Sequence, residues 1–257
     1  MRTQIVIPAR LASTRLPEKL LLQAGGKSIL QHTYEAAQRS AVAGRSTADP
    51  AVIVAVDDPR LAAEVDAFGG RARMTGTNCH SGTDRVAEIA ALQTDTEIFV
   101  NVQGDEPEID PAAIDLVVAA LTDDVDADMA TIVTPIRDLK HLSDPACVKA
   151  VLDDSMRAIY FSRAPVPYPR DGFTATTPDA DPPVFFQHLG LYAYRREFLA
   201  WFTSRSPSSL ERTERLEQLR AIQAGRRIIA RVVDAATPGI DTLEDFREFV
   251  ARIEQKS

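Results

Sequence analysis

An α/β fold with a mostly parallel central sheet, and a smaller mixed α/β lobe inserted in the C-terminal half, is what this 257-residue sequence predicts. Three observations carry that expectation. Up to about Asp138, short β-branched runs alternate with stretches of helical spacing, the pattern of parallel strands joined by covering helices. Beyond that point the rhythm changes to close-set strands and a long stretch rich in Pro, Thr and Asp. No internal repeat interrupts either part.

Taken in order, "QIVIP" (residues 4–8) reads as a buried first strand, and a helix follows over about residues 28–39. Residues 40–51 read as a surface loop. "AVIVAVD" (51–57) is a second strand, and "PRLAAEVDAFG" its returning helix, stopped by Gly69 and Gly70. "RARMT" is a short strand. In "SGTDRVAEIAAL", Ser81 stands ahead of Asp84 as an N-cap signature before helical spacing. "EIFVNVQ" is a strand, "PAAIDLVVAAL" a helix opened by Pro111, and "DMATIVTPI" a strand. "VKAVLDDSMRAIYFSR" reads as a hairpin that turns at Asp153, Asp154 and Ser155. "VPYPRDGFTATTPDADPPV" lacks periodicity and reads as a long surface loop. "HLGLYAYR" is a strand, "LERTERLEQLRAIQAG" one helix closed by Gly225, "RIIARVV" a strand, and "TLEDFREFVARIEQ" the last helix. Residues 1–257 are expected to form one domain, with the lobe at about 138–191.

Composition narrows the function. A hydrophobic content of 45% and a charged content of 26% are ordinary for a globular chain. The formal net charge of -8 and a pI near 5.1 argue against nucleic acid as a partner, which needs a basic face. No apolar run approaches the roughly 20 residues that cross a bilayer, so no membrane insertion is expected. "MRTQIVIPAR" is interrupted too early by Pro8 and Arg10 for a signal peptide, which points to the cytoplasm. Cys79 and Cys147 give neither a disulfide framework nor metal-ligand spacing and read as free thiols.

In open α/β sheets a ligand lies beyond the carboxyl ends of the strands. Four places qualify: the loop over residues 8–19, the turn after Asp57, "QGDEP", and "TPGIDTLED" before the last helix. The first brings Arg10, Arg15 and Lys19; the third and fourth bring Asp105 and Asp241. Cations grip phosphate oxygens, and one or two carboxylates suffice to hold a magnesium ion that bridges them. Each residue also has an ordinary reading. Asp105 sits in a turn sequence, Asp241 adjoins a Thr242–Asp245 cap, and Arg15 and Lys19 suit a solvated surface. Convergence on one edge is what those separate readings leave unexplained.

"IPARLASTRLPEKLL", "SGTDRVAE", "VNVQGDEPEI", "YFSRAPVP", "HLGLYAYR", "LEQLR" and "PGIDTLED" together resemble the 3-deoxy-manno-octulosonate cytidylyltransferase family, in the family's order, from Ile5 to about Asp245. The resemblance implies a Rossmann-like nucleotidyltransferase domain and a homodimer. It also implies use of CTP and Mg²⁺ to link CMP to the anomeric hydroxyl of the eight-carbon acid sugar Kdo, for lipopolysaccharide synthesis. By the same resemblance Arg10, Arg15 and Lys19 hold the triphosphate, and Asp105 and Asp241 place the metal. Pro8, Ala9 and Arg10, with Ser13, Thr75, Ser81, Gly82 and Gln103, serve the nucleotide. Arg163 meets the sugar carboxylate. His188, Tyr192, Glu217 and Gln218 recognise the hydroxyls, the first two sharing a strand face because they lie an even number of residues apart. His188 has an ordinary reading as a packed histidine, and Glu217 and Gln218 as the exposed face of an amphipathic helix.

The chain departs from the family pattern at several places. Glu18 stands where Gly is usual, Leu20 where Pro is usual, and Val56 where Thr is usual; Cys79 and His80 occupy a variable position. Residues 40–51 form a longer link than usual. A carboxylate at Glu18 among phosphate-binding cations is unfavourable unless it points away. Rival readings are a cytidylyltransferase for an 8-amino analogue of Kdo or for sialic acid, and a non-catalytic nucleotide-binding subunit. The last would be marked by loss of Lys19, Asp105 or Asp241, and all three are present. An oxidoreductase is disfavoured because no G-x-G-x-x-G follows the first strand.

Overall fold

A computed structural model of the chain describes residues 2–13, 15–48 and 50–256; Thr14 of the first loop and Asp49 of the 40–51 link lie outside them. The elements run β1 (Thr3–Ala9), β2 (Gln23–Ala24), β3 (Lys27–Ser28), α1 (Ile29–Gln38), α2 (Ala41–Arg45), β4 (Val52–Val56), α3 (Pro59–Ala67), β5 (Ala72–Met74), α4 (Gly82–Leu92), β6 (Ile98–Asn101) and α5 (Pro111–Asp123). Then follow β7 (Met129–Pro135), α6 (Leu139–Ser143), β8 (Lys149–Leu152), β9 (Ala158–Ser162), β10 (Phe186–Arg195), α7 (Arg196–Thr203), α8 (Ser209–Glu214), α9 (Leu219–Gln223), β11 (Ile228–Val232) and α10 (Leu243–Lys256). They divide between two compact units. One comprises Met1–Asp115, Arg195–Thr203 and Thr237–Ser257, the other Leu116–Tyr194 and Ser204–Ala236.

The first unit holds a parallel sheet in the order β6-β1-β4-β5. β1 is central: Ile5 pairs with Val52 on one side and Val100 on the other, and every residue of the strand is buried. The continuous apolar run Ile5–Ala9 within it is what a parallel strand covered on both faces requires. Helix starts are set locally. Ser28 accepts from the Gln31 N–H, Asp58 from the Arg60 N–H, and Ser81 and Asp84 form a reciprocal capping box at α4. α4 packs on β1 and β6, and α7 packs on α4. The edge of His32 in α1 meets the ring of Phe249 in α10 at 5.1 Å.

In the second unit β11 runs parallel to β7, β10 runs antiparallel to β7, and β8 pairs antiparallel with both β10 and β9. The β8–β9 hairpin is the one the sequence predicts, with Met156 at φ 64 in its turn. The proline-rich stretch that follows is anchored, because Phe173 packs on the buried Ile136, Leu142, Cys147 and Phe185.

Three expectations are corrected. The single helix drawn through "LERTERLEQLRAIQAG" is two, α8 and α9, because Arg215 takes a left-handed conformation (φ 53) between them. The 40–51 link is not all loop. It contains α2, capped by Ser40 and held by Asp115, which accepts from the Ala41 and Val42 N–H groups. "REFLAWFT", to which the periodic reading assigns nothing, is α7 and follows β10 without a break.

Candidate active site

The carboxyl end of β1 delivers Pro8 and Arg10 to a cavity of about 490 Å³, lined also by Ala12, Ser13, Arg15, Lys19, Leu20, Gln103, Gly104, Asp105 and Asp241. The first loop is fixed where it leaves the strand: the Leu11 N–H donates to Asp57 Oδ1 at 3.0 Å. Lys19 opens a 3-10 turn whose buried Leu20 anchors it, leaving the lysine side chain 14% exposed. Its ammonium donates to Asp105 Oδ2, to Asp241 Oδ1 at 3.0 Å and to the Ile240 carbonyl at 2.9 Å. An ammonium has three N–H donors, so all are engaged. Arg15, largely exposed, reaches Asp241 Oδ1 at 2.8 Å. Arg10 is exposed and, among the described residues, has neither a carboxylate nor a hydrogen-bond partner.

Turn and cap do not account for the two aspartates. The "QGDEP" turn is closed by main chain, Glu106 N–H to the Gln103 carbonyl at 3.2 Å, and the Gly104 carbonyl is held by Thr33 Oγ1 at 3.0 Å. A Cβ at Gly104 would stand 3.1 Å from the Pro8 carbonyl oxygen, tighter than ordinary packing, so the turn's approach to β1 favours a glycine. At the other loop, Asp245 accepts from the Asp241 and Thr242 N–H groups and Thr242 Oγ1 from the Asp245 N–H, which caps α10 without the Asp241 side chain. The Ile240 N–H donates to the Asp105 carbonyl at 2.9 Å, joining the two loops directly. Burial first, and the charge of Asp105 second, push the neighbouring Glu106 up to about 8.

Whether these groups suit a metal follows from the donor set. Asp105 and Asp241 both contact one ammonium, so their oxygens already flank a point of positive charge. Two hard carboxylates match magnesium, which takes one or two from a protein and completes its shell with water and phosphate. Among the described residues no cluster of three or more His, Cys, Asp or Glu is set to hold a metal alone. The pair therefore fits a metal that arrives with phosphate.

The expected nucleoside residues are placed unequally. Gln103 lines the cavity and donates to Asn101 Oδ1 at 3.0 Å. Ala9 is fully buried in β1, so only its main chain can face a ligand. Gly82 lies against Pro8 and Gln103, where a Cβ would come within 3.2 Å of Pro8 Cγ. Ser81 is committed to the α4 cap, as its N-cap signature predicts. Thr75 Oγ1 donates to the Val56 carbonyl and accepts from Arg85. Glu18 takes the left-handed conformation (φ 51) that a Gly in its place adopts freely. Its carboxylate meets Arg60 at 2.6 Å and does not line the cation-rich cavity, so it points away from the phosphate-binding side chains.

In the second unit Arg163 follows β9. Its Nε donates to the Glu214 carbonyl (2.7 Å) and its Nη1 to the Pro145 carbonyl (2.9 Å), while its own N–H is taken by Glu214 Oε2. His188 and Tyr192 share a face of β10, with ring centroids 5.4 Å apart, although the register with β7 shifts between Leu189 and Tyr192. The shift inserts an even number of residues and so preserves the face. His188 Nε2 lies 3.1 Å from Thr131 Oγ1, the Phe161 ring closes its other side, and burial pushes its pKa down to about 3. Glu217 and Gln218 fall in the break between α8 and α9, Glu217 half-buried and Gln218 5% exposed, so neither belongs to an exposed helix face.

The sequence points to Asp57 only by its place just after β4, and gives no sign of Arg85 or Glu88 as site residues; Arg85 is 2% exposed and Glu88 accepts from the Gly76 N–H at 2.8 Å. A charged residue in a polar-looking helix turn carries no sequence sign of burial.

The family described as Cytidylyltransferase matches residues 4–228. A 3-deoxy-manno-octulosonate cytidylyltransferase from Rhodopirellula baltica is 61% identical over 256 residues, covering 100% of both chains. One from Solibacter usitatus is 46% identical, covering 96% of this chain and 92% of its own. A solved structure of CMP:2-keto-3-deoxy-manno-octonic acid synthetase complexed with CTP superposes with a TM-score of 0.89 at 38% identity, covering 100% of both chains. A cytidylyltransferase from Leptospira borgpetersenii, 17% identical with a TM-score of 0.64, shares the fold; it covers 99% of this chain and 87% of its own.

Proposed function

The chain belongs to the 3-deoxy-manno-octulosonate cytidylyltransferase family, and from that premise we infer that it transfers CMP from CTP to the anomeric hydroxyl of Kdo, releasing pyrophosphate. The observation that carries the reading at residue level is the convergence of Arg15, Lys19, Asp105 and Asp241 on one rim beside Arg10, which has no partner among the described residues.

In the reaction the sugar oxygen bonds to the α-phosphorus, the bond to the bridging oxygen of pyrophosphate breaks, and the hydroxyl proton is lost. Charge builds on the departing pyrophosphate, so fixed cations there lower the barrier. Arg10, without a partner among the described residues, has its guanidinium available for that task. Arg15 and Lys19 rest on carboxylates, from which a triphosphate, with more negative charge, can draw them. Asp105 and Asp241 would hold Mg²⁺, which when bound with phosphate oxygens neutralises charge and lowers the pKa of the attacking hydroxyl. The main chain at Pro8, Ala9 and Arg10, with Ser13, Thr75, Ser81, Gly82 and Gln103, would position the nucleotide.

In the second unit Arg163, His188, Tyr192, Glu217 and Gln218 would recognise the acid sugar. Arg163 has five N–H donors, and those not spent on carbonyls suit a carboxylate. His188, held neutral by burial, can accept or donate a single hydrogen bond without carrying charge. The family resemblance also supports a homodimer, and the early interruption of the first apolar stretch by Pro8 and Arg10 supports the cytoplasm. Among the described residues no helix is long and apolar enough to cross a membrane.

A substrate panel tests the reading: four nucleoside triphosphates against Kdo, its 8-amino analogue and sialic acid, followed by pyrophosphate release. CTP with Kdo is expected to lead, and UTP to be poor because a site paired to cytosine's amino edge leaves groups unsatisfied with uracil. Preference for another acid sugar would move the substrate assignment, and equal rates in excess chelator would remove the metal.

A further inference from the structure

Arg85 is among the largest fully buried side chains of the protein and carries a charge that the chemistry above does not use. It lies on α4, which packs on the strands that end at the site. Its Nη2 pairs with Asp57 Oδ2 at 2.9 Å; its Nη1 donates to Thr75 Oγ1 at 2.6 Å and, more weakly, to the Gly76 carbonyl at 3.4 Å. Asp57 passes the contact on, since its Oδ1 accepts from the Leu11 N–H. Leu11 stands between Arg10 and the pair Ala12 and Ser13, all of which line the cavity. One turn further along α4, Glu88 accepts from the Gly76 N–H at 2.8 Å and from Cys79 Sγ at 3.1 Å.

Burying a guanidinium is costly, and a buried ion pair adds little to stability over apolar packing of the same size. Its use must be sought in what it fixes. The planar fork offers donors in two directions at once, which a lysine does not. Here those directions lead to the loops after β1, β4 and β5, the carboxyl edge on which a nucleotide would lie.

We propose that Arg85, acting with Asp57, is a positioning residue for the nucleotide: it locks the phosphate-binding loop at Leu11 to the Thr75–Gly76 segment, so that both meet CTP already in place. The proposal rests on the reading that CTP is the nucleotide. It places the cost of losing Arg85 on CTP and leaves the acid sugar untouched.

Arg85→Lys keeps the charge and removes the fork; Asp57→Asn keeps an acceptor for Leu11 and removes the ion pair. Both are made in the full chain, checked for cooperative thermal melting, and titrated with CTP by calorimetry. KM for CTP and for Kdo is then read separately by pyrophosphate release. The expected result for folded Arg85→Lys is a CTP Kd about ten- to a hundredfold weaker, a matching rise in KM for CTP, and an unchanged KM for Kdo. Should Arg85→Lys not fold, Asp57→Asn is read in the same way. CTP affinity equal to that of the unsubstituted protein overturns the proposal. So does a fall in kcat alone at unchanged KM for CTP, the mark of a smaller folded fraction. Failure of both variants to melt cooperatively assigns the pair to folding and overturns it too. Absence of CTP binding by the unsubstituted protein would sink the functional reading, and the proposal with it.

Discussion

Arg10 and Arg163 each stand just past the end of a strand, β1 and β9, in different units, and their surroundings give them opposite freedoms. Arg10 projects into a cavity with no partner among the described residues, whereas Arg163 spends donors on the Glu214 and Pro145 carbonyls. The same contrast runs through their neighbours. Asp241, half-exposed, and Arg15, largely exposed, are charges in contact, a pairing that in water is worth less than about 1 kcal/mol and is readily exchanged. His188 is wedged against Phe161 and Tyr192 and kept neutral. One region holds loose charges that a charged ligand can recruit; the other holds fixed groups that define a shape.

Substitutions can break that contrast. The largest effect is expected at Asp105→Asn, where pyrophosphate release should fall by about a thousandfold or more while cooperative melting persists. Near-normal turnover would take the rim out of the chemistry. Arg10→Ala and Arg163→Ala form the direct test. The first should weaken CTP about tenfold, with stability unchanged within about 0.5 kcal/mol, and the second should cost about 2 kcal/mol in urea unfolding. An unchanged unfolding midpoint for Arg163→Ala, with KM for Kdo raised, would make Arg163 as free as Arg10.

A subtler effect belongs to His188. Its folded pKa, about 3, lies below the ordinary histidine value, so between pH 6.5 and 3 the unfolded chain binds the proton that the folded chain refuses. The stability it contributes is present above pH 6.5 and is lost as pH falls through that window, by at most about 1.4 kcal/mol per pH unit. His188→Phe should flatten the dependence of the urea midpoint on pH there; identical slopes would show that the ring is not shielded. The smallest effect is expected at Glu18→Gly, which relieves a left-handed residue and removes an exposed ion pair with Arg60. A gain of about 1 kcal/mol or less, with turnover within about twofold, is expected in thermal melting and rate assays.

Much of the fold was legible because its signals are local. β1, β4 and β6 carry the apolar runs Ile5–Ala9, Val52–Val56 and Ile98–Val100, and Ser81 with Asp84 marks a helix start by capping chemistry that a few residues complete. The errors fell where context overrode such signals. The helical spacing through residues 210–225 is broken because Arg215 turns left-handed, and Gln218 is drawn into the interior. At the candidate site the cations and aspartates were nameable from type and position at strand ends. The Thr242–Asp245 cap was readable too; that the Asp241 carboxylate turns to Lys19 and Arg15 needed the tertiary contacts to be seen.

The sequence by itself determined the alternation of strands and helices, the cationic first loop, the two acidic turns and the family, because each depends on neighbouring residues or on motifs that keep their order. Only the tertiary structure decided that Lys19 bridges Asp105 and Asp241, that Glu18 turns to Arg60, and that a buried Arg85 ties Asp57 to Thr75. Those contacts join residues far apart in the chain. A charge's partner is set by which loops the sheet brings to one edge, a distance in space on which the spacing of letters is silent.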